Sequence, residues 1–344
     1  MKALLYHRTG GPEVLQYVDV DDPQPGPRDV IVRVSSTALN HLDVVQRSGW
    51  FLMEGFTLPH IAGMDIAGVV VEVGAEVSAV RIGERVVVDP SLAEVPSGSK
   101  HAGRGELYGD LGVLGATADG GYAELCLVPD THVHVIPDHV SDHSAAAFPS
   151  AWLTAHHAMF DRGGLRAGET IMIHGANSGV STAAIQLAKA HGATVLATAG
   201  TAAKCARALD IGADFVANNR ESDITAWARE VTGGVGVDIV FDHVGPALFA
   251  ASVFALKPRG RLVNCGNTTG DTATIPSLGH LFHMGISIIG SDPYRYSEFA
   301  AVWREFVDGE FSTTIDSVFA LADGAEAQEK MLRGDFFGKI ILEP

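Results

Sequence analysis

The octapeptide His174-Gly175-Ala176-Asn177-Ser178-Gly179-Val180-Ser181 sits between an apolar run, Thr170 to His174, and a stretch with helical spacing, Val180 to His191. A turn that ends a strand and opens a helix points backbone N–H groups and the positive end of a helix dipole at one place, where a phosphate binds well. If Gly179-Val180-Ser181 closes the motif, the three fingerprint positions of a dinucleotide turn fall on Ala176, Ser178 and Ser181 instead of three glycines. Small side chains still let the backbone approach a pyrophosphate, without glycine's conformational freedom. Asn177, Ser178, Gly179 and Val180 are therefore candidate cofactor-binding residues, and an ordinary small-residue βα turn is the competing reading.

The end of the following strand bears on which dinucleotide would bind. An NAD site places Asp or Glu about 20 residues beyond the turn, on the ribose 2′-hydroxyl. Here Thr198-Ala199-Gly200-Thr201 holds no acid, and Lys204 follows on the next helix. A carboxylate there would repel a 2′-phosphate, whereas an ammonium attracts it. Gly200, Thr201, Lys204 and Asn219 join the cofactor candidates, and Arg220, after the third strand, adds charge. Lys204 also reads as an ordinary solvated helix residue, so the missing acid carries more weight. The expectation is NADPH.

The elements that position these residues are legible in outline. Beyond about Ser150 the chain alternates strand and helix: Thr170–His174, Thr194–Thr198, Phe215–Ala217, Val237–Phe241, Arg261–Asn264 and Ser287–Gly290 read as six strands. Near-continuous apolar strands separated by helices predict a parallel, doubly wound sheet. The first part, with strands at Val30–Val34, Ile66–Gly74, Glu84–Val88 and Ala123–Val128, is punctuated by Gly and Pro and predicts a small β-barrel-like domain. Residues 89–121 read as a long loop or lobe. The closing strand Gly338–Leu342 is expected to return to the first domain.

Composition narrows the function classes. The 344 residues are 47% hydrophobic and 19% charged, as in a globular protein. The net charge of −17 repels phosphate backbones, which argues against nucleic acid as a partner. No run approaches the roughly 20 apolar residues of a membrane helix, and the first residues lack the apolar run of a signal peptide. These features predict a soluble, cytoplasmic protein without a membrane partner. Cys126, Cys205 and Cys265 lie far apart and read as buried thiols.

Five segments together resemble the medium-chain dehydrogenase/reductases, and within them the quinone oxidoreductase-like branch and its alcohol dehydrogenase relatives. They are Gly10–Leu15, Ala38–Asp43, Leu153–His157, Gly179–Lys189 and Phe337–Leu342. The resemblance implies an α/β fold: a Rossmann doubly wound sheet over 151–289 plus a GroES-like β-barrel catalytic domain over 1–150 and 290–344, with a cleft between them. It implies a homodimer or homotetramer paired through the Rossmann sheet. It places Asn40, His41 and Asp43 as catalytic candidates facing the nicotinamide, and Thr154 and Lys339 among the cofactor-binding residues. Asn40 would donate to a substrate oxygen, or simply cap a helix. His41 would supply a proton, since imidazole titrates near neutral pH, or solvent would. Asp43 reads more readily as structural.

Zinc-dependent members of the family hold zinc through Cys, His and usually Cys, with a Glu nearby. Matched by motif, those positions carry Asn40, Met64 and Ser150, with Asp65 at the Glu. The family's proton-relay hydroxyl is replaced by Leu42. Amide, thioether and hydroxyl are poor zinc ligands here, and the 89–121 lobe has no cysteine for a structural zinc. Its His101, Glu106 and Asp110 read as solvated. The expectation is an enzyme without a metal site. Without a Lewis acid, hydride addition to the conjugated C=C of an enone or quinone is easier than ketone reduction, because the charge delocalises onto a distant oxygen. The substrate is then an apolar unsaturated carbonyl small molecule of open size; branch members also serve secondary metabolism, and a large polyketide-like substrate fits as well. Trp50, Phe51, Phe56, Phe282, Tyr294 and Tyr296 are candidates to line an apolar pocket. The alternatives are an alcohol dehydrogenase or carbonyl reductase of the same superfamily, and a non-catalytic NADPH-binding protein.

Overall fold

Short strands bounded by Gly and Pro, and long apolar runs alternating with helices, give two different textures, and the chain divides accordingly. The computed structural model describes residues 1–92, 112–309 and 311–344. One compact unit comprises Met1–Ser150 and Arg295–Pro344, and a second comprises Ala151–Tyr294.

In the first unit the chain runs through β1 (Lys2–Tyr6), β2 (Gln16–Asp19), β3 (Asp29–Ala38), α1 (His41–Ser48), β4 (His60–Ile61), β5 (Asp65–Val73), β6 (Arg85–Val88), β7 (Leu125–Pro129), β8 (Val133–Val135) and α2 (Asp142–Ala146). Alternate residues of the strands point to one side: Val30, Val32 and Val34 of β3 pack with Ile66 and Val70 of β5, Val86 and Val88 of β6, and Cys126 and Val128 of β7. That period of two makes these strands rather than helices. The lobe after Asp89 is not wholly a surface loop. Val113, Leu114 and Ala116 are buried, and Met64 packs with Val113 and Ala116. Its centre, with His101, Glu106 and Asp110, lies outside the described residues.

The second unit is continuous in sequence. After α3 (Pro149–His156) come β9 (Thr170–Ile173), α4 (Gly179–Ala190), β10 (Thr194–Ala199), α5 (Ala202–Asp210), β11 (Phe215–Asn218), α6 (Ile224–Val231), β12 (Val237–Asp242), α7 (Pro246–Ala255), β13 (Leu256–Asn264), α8 (Leu278–Met284) and β14 (Ser287–Gly290). All six strands are parallel, in the order β11-β10-β9-β12-β13-β14. This is the doubly wound arrangement, and its chain reversal falls between β9 and β12. Every residue of β12 is buried, as expected of a strand covered on both faces. Met172, Leu196, Val240 and Leu262, one from each of four neighbouring strands, form a core with Ile224, Ala228 and Val253. Fully burying such an aliphatic side chain stabilises by about 1.5–3 kcal/mol.

The helices of this unit start where their sequences say they should. Ser178, Thr201, Asp223 and Ser277 are N-caps whose side chains accept a backbone N–H from three residues on, each worth roughly 1 kcal/mol.

The last segment, α9 (Phe299–Asp308), β15 (Ile315–Ala320), α10 (Gly324–Arg333) and β16 (Lys339–Glu343), belongs to the first unit. There β16 pairs antiparallel with the end of β3 and parallel with β15, so the closing strand does return to the first domain. The three cysteines are free thiols; Cys126 and Cys205 are buried, while Cys265 is only half-buried. Among the described residues no helix is long and apolar enough to cross a membrane.

Candidate functional site

Four chain segments meet at one end of the first unit's large sheet. Ala38, the last residue of β3, stands opposite Asp65, the first of β5, and opposite Ile341 of β16. The segments beginning at Asn40, Asp65 and Lys339 therefore start side by side, and Ser150 of α3 joins them. Asp65 is fully buried and accepts four hydrogen bonds. Oδ1 takes the Ser150 backbone N–H at 3.0 Å and the Ser150 hydroxyl at 2.6 Å. Oδ2 takes Asn40 Nδ2 at 2.9 Å and the Lys339 ammonium at 2.9 Å. Lys339 also donates to Asn40 Oδ1 at 2.7 Å. A buried charge needs a partner and hydrogen bonds, and this carboxylate has both.

These residues do not fit zinc. Both Asp65 oxygens are bonded, one of them to a cation that would repel a second cation. The Asn40 oxygen accepts from that same ammonium. Met64 is buried in an apolar cluster with Val113, Ala116, Leu42 and Met53, and a thioether is a poor ligand for zinc.

Asn40 occupies the N-cap position of α1, but its amide faces Asp65 and, at 3.4 Å, the Ala38 carbonyl, so both donor directions lead inward. Asp43 serves the helix start instead: its Oδ2 accepts the Asn40 N–H at 2.8 Å and the Tyr122 hydroxyl at 3.0 Å, and its Oδ1 accepts from Gly63 N at 3.4 Å. Burial pushes the Asp43 carboxyl up to about 6, against the lowering effect of these bonds. The hydroxyl of Tyr122 is pushed far up by burial and by the neighbouring Asp43. His41, the first residue of α1, is exposed, yet the protein packed around it pushes its pKa down, so it is chiefly neutral at pH 7.

In the second unit the candidate cofactor residues line the carboxyl ends of β9, β10 and β11, where ligands bind in doubly wound sheets. The turn after β9 needs Gly175: its φ is +59°, and a Cβ there would lie 2.9 Å from the His243 ring. Ser178 caps α4, accepting the Ser181 N–H at 3.1 Å. Gly179 and Val180 follow in the first turn, where N–H groups have no intrahelical acceptor. These features fit a pyrophosphate. Thr201 caps α5 by accepting the Lys204 N–H at 3.3 Å, which sets Lys204 on that helix's first turn. Asn219 N donates to the Ala199 carbonyl at 2.9 Å and ties the end of β11 to β10. Arg220 packs its guanidinium against Gly200, whose added Cβ would stand 3.1 Å from Nε. Thr154 lies half-buried on α3.

Lys339, grouped on sequence with the dinucleotide residues, has its ammonium on Asp65 and Asn40 in the first unit. The aromatic candidates fare differently from one another. Tyr294 is fully buried, Trp50, Phe51 and Phe282 are exposed, Phe56 packs on Tyr6 and His60, and Tyr296 donates to the Thr131 carbonyl. Sequence reasoning missed His243. The signal was the order of strands: the residue after β12 must lie beside the turn after β9.

Comparison with known proteins agrees with both units. The family model described as alcohol dehydrogenase GroES-like domain matches residues 26–138, and that described as zinc-binding dehydrogenase matches 179–308. The Homo sapiens quinone oxidoreductase is 28% identical over 352 residues, covering 99% of this chain and 97% of that protein. The Salmonella typhimurium quinone oxidoreductase is 34% identical over 280 residues, covering 81% of this chain and 77% of that protein. A crystal structure of an NAD-dependent alcohol dehydrogenase superposes with a TM-score of 0.93 at 36% identity, covering 100% of both chains. With a GroES-like domain, a doubly wound parallel-sheet unit and these relatives, the chain belongs to the medium-chain dehydrogenase/reductase superfamily of oxidoreductases, whose members bind a nicotinamide cofactor, in its quinone oxidoreductase-like part.

Proposed function

We propose that the protein is an NADPH-dependent, metal-independent reductase of the conjugated C=C of an enone or quinone. The observation that carries this reading is the Lys339 ammonium, bonded to Asp65 and Asn40 at the positions matched to the zinc site of metal-dependent relatives. Ketone reduction without a Lewis acid leaves a full charge on one oxygen. Conjugate addition spreads that charge into an enolate, which a few hydrogen-bond donors stabilise. NADPH over NADH is supported by the lack of an acid at 198–201, by Lys204 on the first turn of α5, and by Arg220 against Gly200.

When bound, a reduced nicotinamide supplies hydride. The chain's own residues bind and orient. Asn177, the Ser178 hydroxyl and the N–H groups of Gly179 and Val180 take the pyrophosphate. Gly200, Thr201 and Asn219 border the adenosine ribose, Lys204 and Arg220 attract its phosphate, and Thr154 borders the nicotinamide half. His41, neutral at pH 7, donates N–H to the enolate oxygen, and solvent completes protonation. Asp43 holds the helix start from which His41 projects. Asn40 and Lys339 act through the Asp65 network rather than on substrate. The enzyme is cytoplasmic and homo-oligomeric in this reading; β14 is a sheet edge, with Leu278 and Phe282 exposed on the preceding α8.

The similar NAD-dependent alcohol dehydrogenase favours a second reading, an NADH-linked alcohol or carbonyl substrate. Stopped-flow oxidation of each dinucleotide by a panel of enones, quinones, ketones and aldehydes, with metal analysis of the purified protein, decides. Turnover of enones or quinones with NADPH by metal-free protein is the expected result. Turnover of ketones or aldehydes alone, or a stoichiometric metal, overturns the proposal.

A further inference from the structure

Because β12 lies directly beside β9, with Phe241 opposite Ile173, the residue that follows β12 comes to rest under the β9–α4 turn. That segment is fixed by Asp242, whose Oδ1 accepts the Val244 and Gly245 N–H groups at 2.7 and 3.0 Å. His243 is 9% exposed. Its Nε2 stands 3.0 Å from the Ser178 hydroxyl and 2.9 Å from the Ser181 hydroxyl.

The protons on these groups can be assigned from the network. A hydroxyl carries one proton. Ser181 donates its own to the His174 carbonyl at 2.8 Å, so towards His243 it accepts, and Nε2 must carry the hydrogen. Ser178 Oγ then accepts from the Ser181 N–H at 3.1 Å and shares the one His243 Nε2–H with Ser181 Oγ in a three-centre bond. Within the turn its own proton has only a longer bond to Ser181 Oγ, at 3.2 Å. The other tautomer of His243 would draw that proton inward. The neighbouring His174 is occupied elsewhere, by Thr198 at 2.8 Å and Ser252 at 2.9 Å, and burial pushes its pKa down to about 3, so it stays neutral.

The geometry points to His243 as a positioning residue of the dinucleotide turn: its Nε2–H fixes the Ser178 oxygen so that the Ser178 proton is presented to a pyrophosphate oxygen. The inference rests on the reading of this turn as the pyrophosphate site. It makes Ser178 a donor to the anion as well as a helix cap.

The test compares His243→Leu, His243→Gln, Ser178→Ala and the Leu/Ala double variant, each checked for folding by thermal melting. Dissociation constants for NADPH and NADH are read from the fluorescence of the bound dinucleotide. His243→Leu is expected to weaken both dinucleotides about tenfold, the scale of one hydrogen bond to a charged group, with the loss in KM rather than in kcat. Glutamine, which retains an N–H donor, is expected to recover most of it. In the Ser178→Ala background the leucine substitution is expected to add nothing, because His243 acts through Ser178. Losses that multiply in the double variant, or a glutamine variant as weak as the leucine one, overturn the role of His243. Wild-type protein that binds neither dinucleotide overturns the cofactor reading itself, a distinct outcome.

Discussion

Lys339 and Asp65, 274 residues apart in sequence, form a buried ion pair with Nζ 2.9 Å from Oδ2; the side chains are 6% and 0% exposed. Removing one member of such a pair leaves the other charged and uncompensated. Lys339→Met is expected to destabilise the first unit by about 3–5 kcal/mol. Adding Asp65→Asn should restore part of the loss. Urea unfolding of the two single variants and the double variant checks this, and additive losses would mean that the two groups do not depend on each other.

Arg220 and Lys204 are expected to separate the two dinucleotides. Arg220→Ala is expected to weaken NADPH by about 1–3 kcal/mol, the scale of a hydrogen bond to a charged group, and to leave NADH within a factor of about two. Lys204→Ala should act in the same direction. Titration of each variant with both dinucleotides decides. Equal losses for both would place these cations away from the 2′-phosphate.

Asp43 gives the stability a pH dependence of known sign. Its carboxyl is raised from 3.8 to about 6 by folding, so between about pH 4 and 6 the native state holds a proton that the unfolded state has released. Its contribution to stability is then lost as pH rises through that window. In Asp43→Asn this component disappears, so the difference between wild-type and variant stabilities should show a slope of about one proton per molecule between those pH values. A difference curve flat across pH 4–6 would contradict the burial of a protonated acid.

His41 has its pKa pushed down from 6.5. If it acted as a charged acid, the rate would rise only as pH fell below that value. If it donates as neutral imidazole, the rate above pH 7 depends on it without titrating there. His41→Gln, which keeps an N–H donor, is expected to retain most of the rate at pH 7.5, and His41→Leu to lose about tenfold to a hundredfold. Equal rates for the two variants and wild type would leave the proton and the hydrogen bond to solvent.

The second unit was almost wholly legible in the sequence, because a parallel strand covered on both faces is an uninterrupted apolar run, as in Val237–Asp242. The helix starts carry a local signal that the sequence reading did not use: Ser178 and Thr201 are N-caps, and their hydroxyls favour that position. The polar network was not legible. That Asp65 and Lys339 meet depends on β16 lying beside β3, and no local pattern encodes a pairing between segments so far apart. Asn40, a candidate helix cap or substrate donor, does stand at the N-cap of α1, but its amide also serves Asp65, which the sequence shows only as a departure from a metal motif. His243 carried no periodic signal at all; its place follows only from the strand order.

The first unit is sewn from both ends of the chain, with the continuous second unit in between. During synthesis Asn40 and Asp65 emerge well before the strand bearing Lys339, with the whole second unit made between them. Until then the edge of β3 that receives β16 is open, and an open strand edge invites pairing with other chains. The second unit has all its segments before β16 is made, whereas the first waits for that strand with one edge of β3 unpaired.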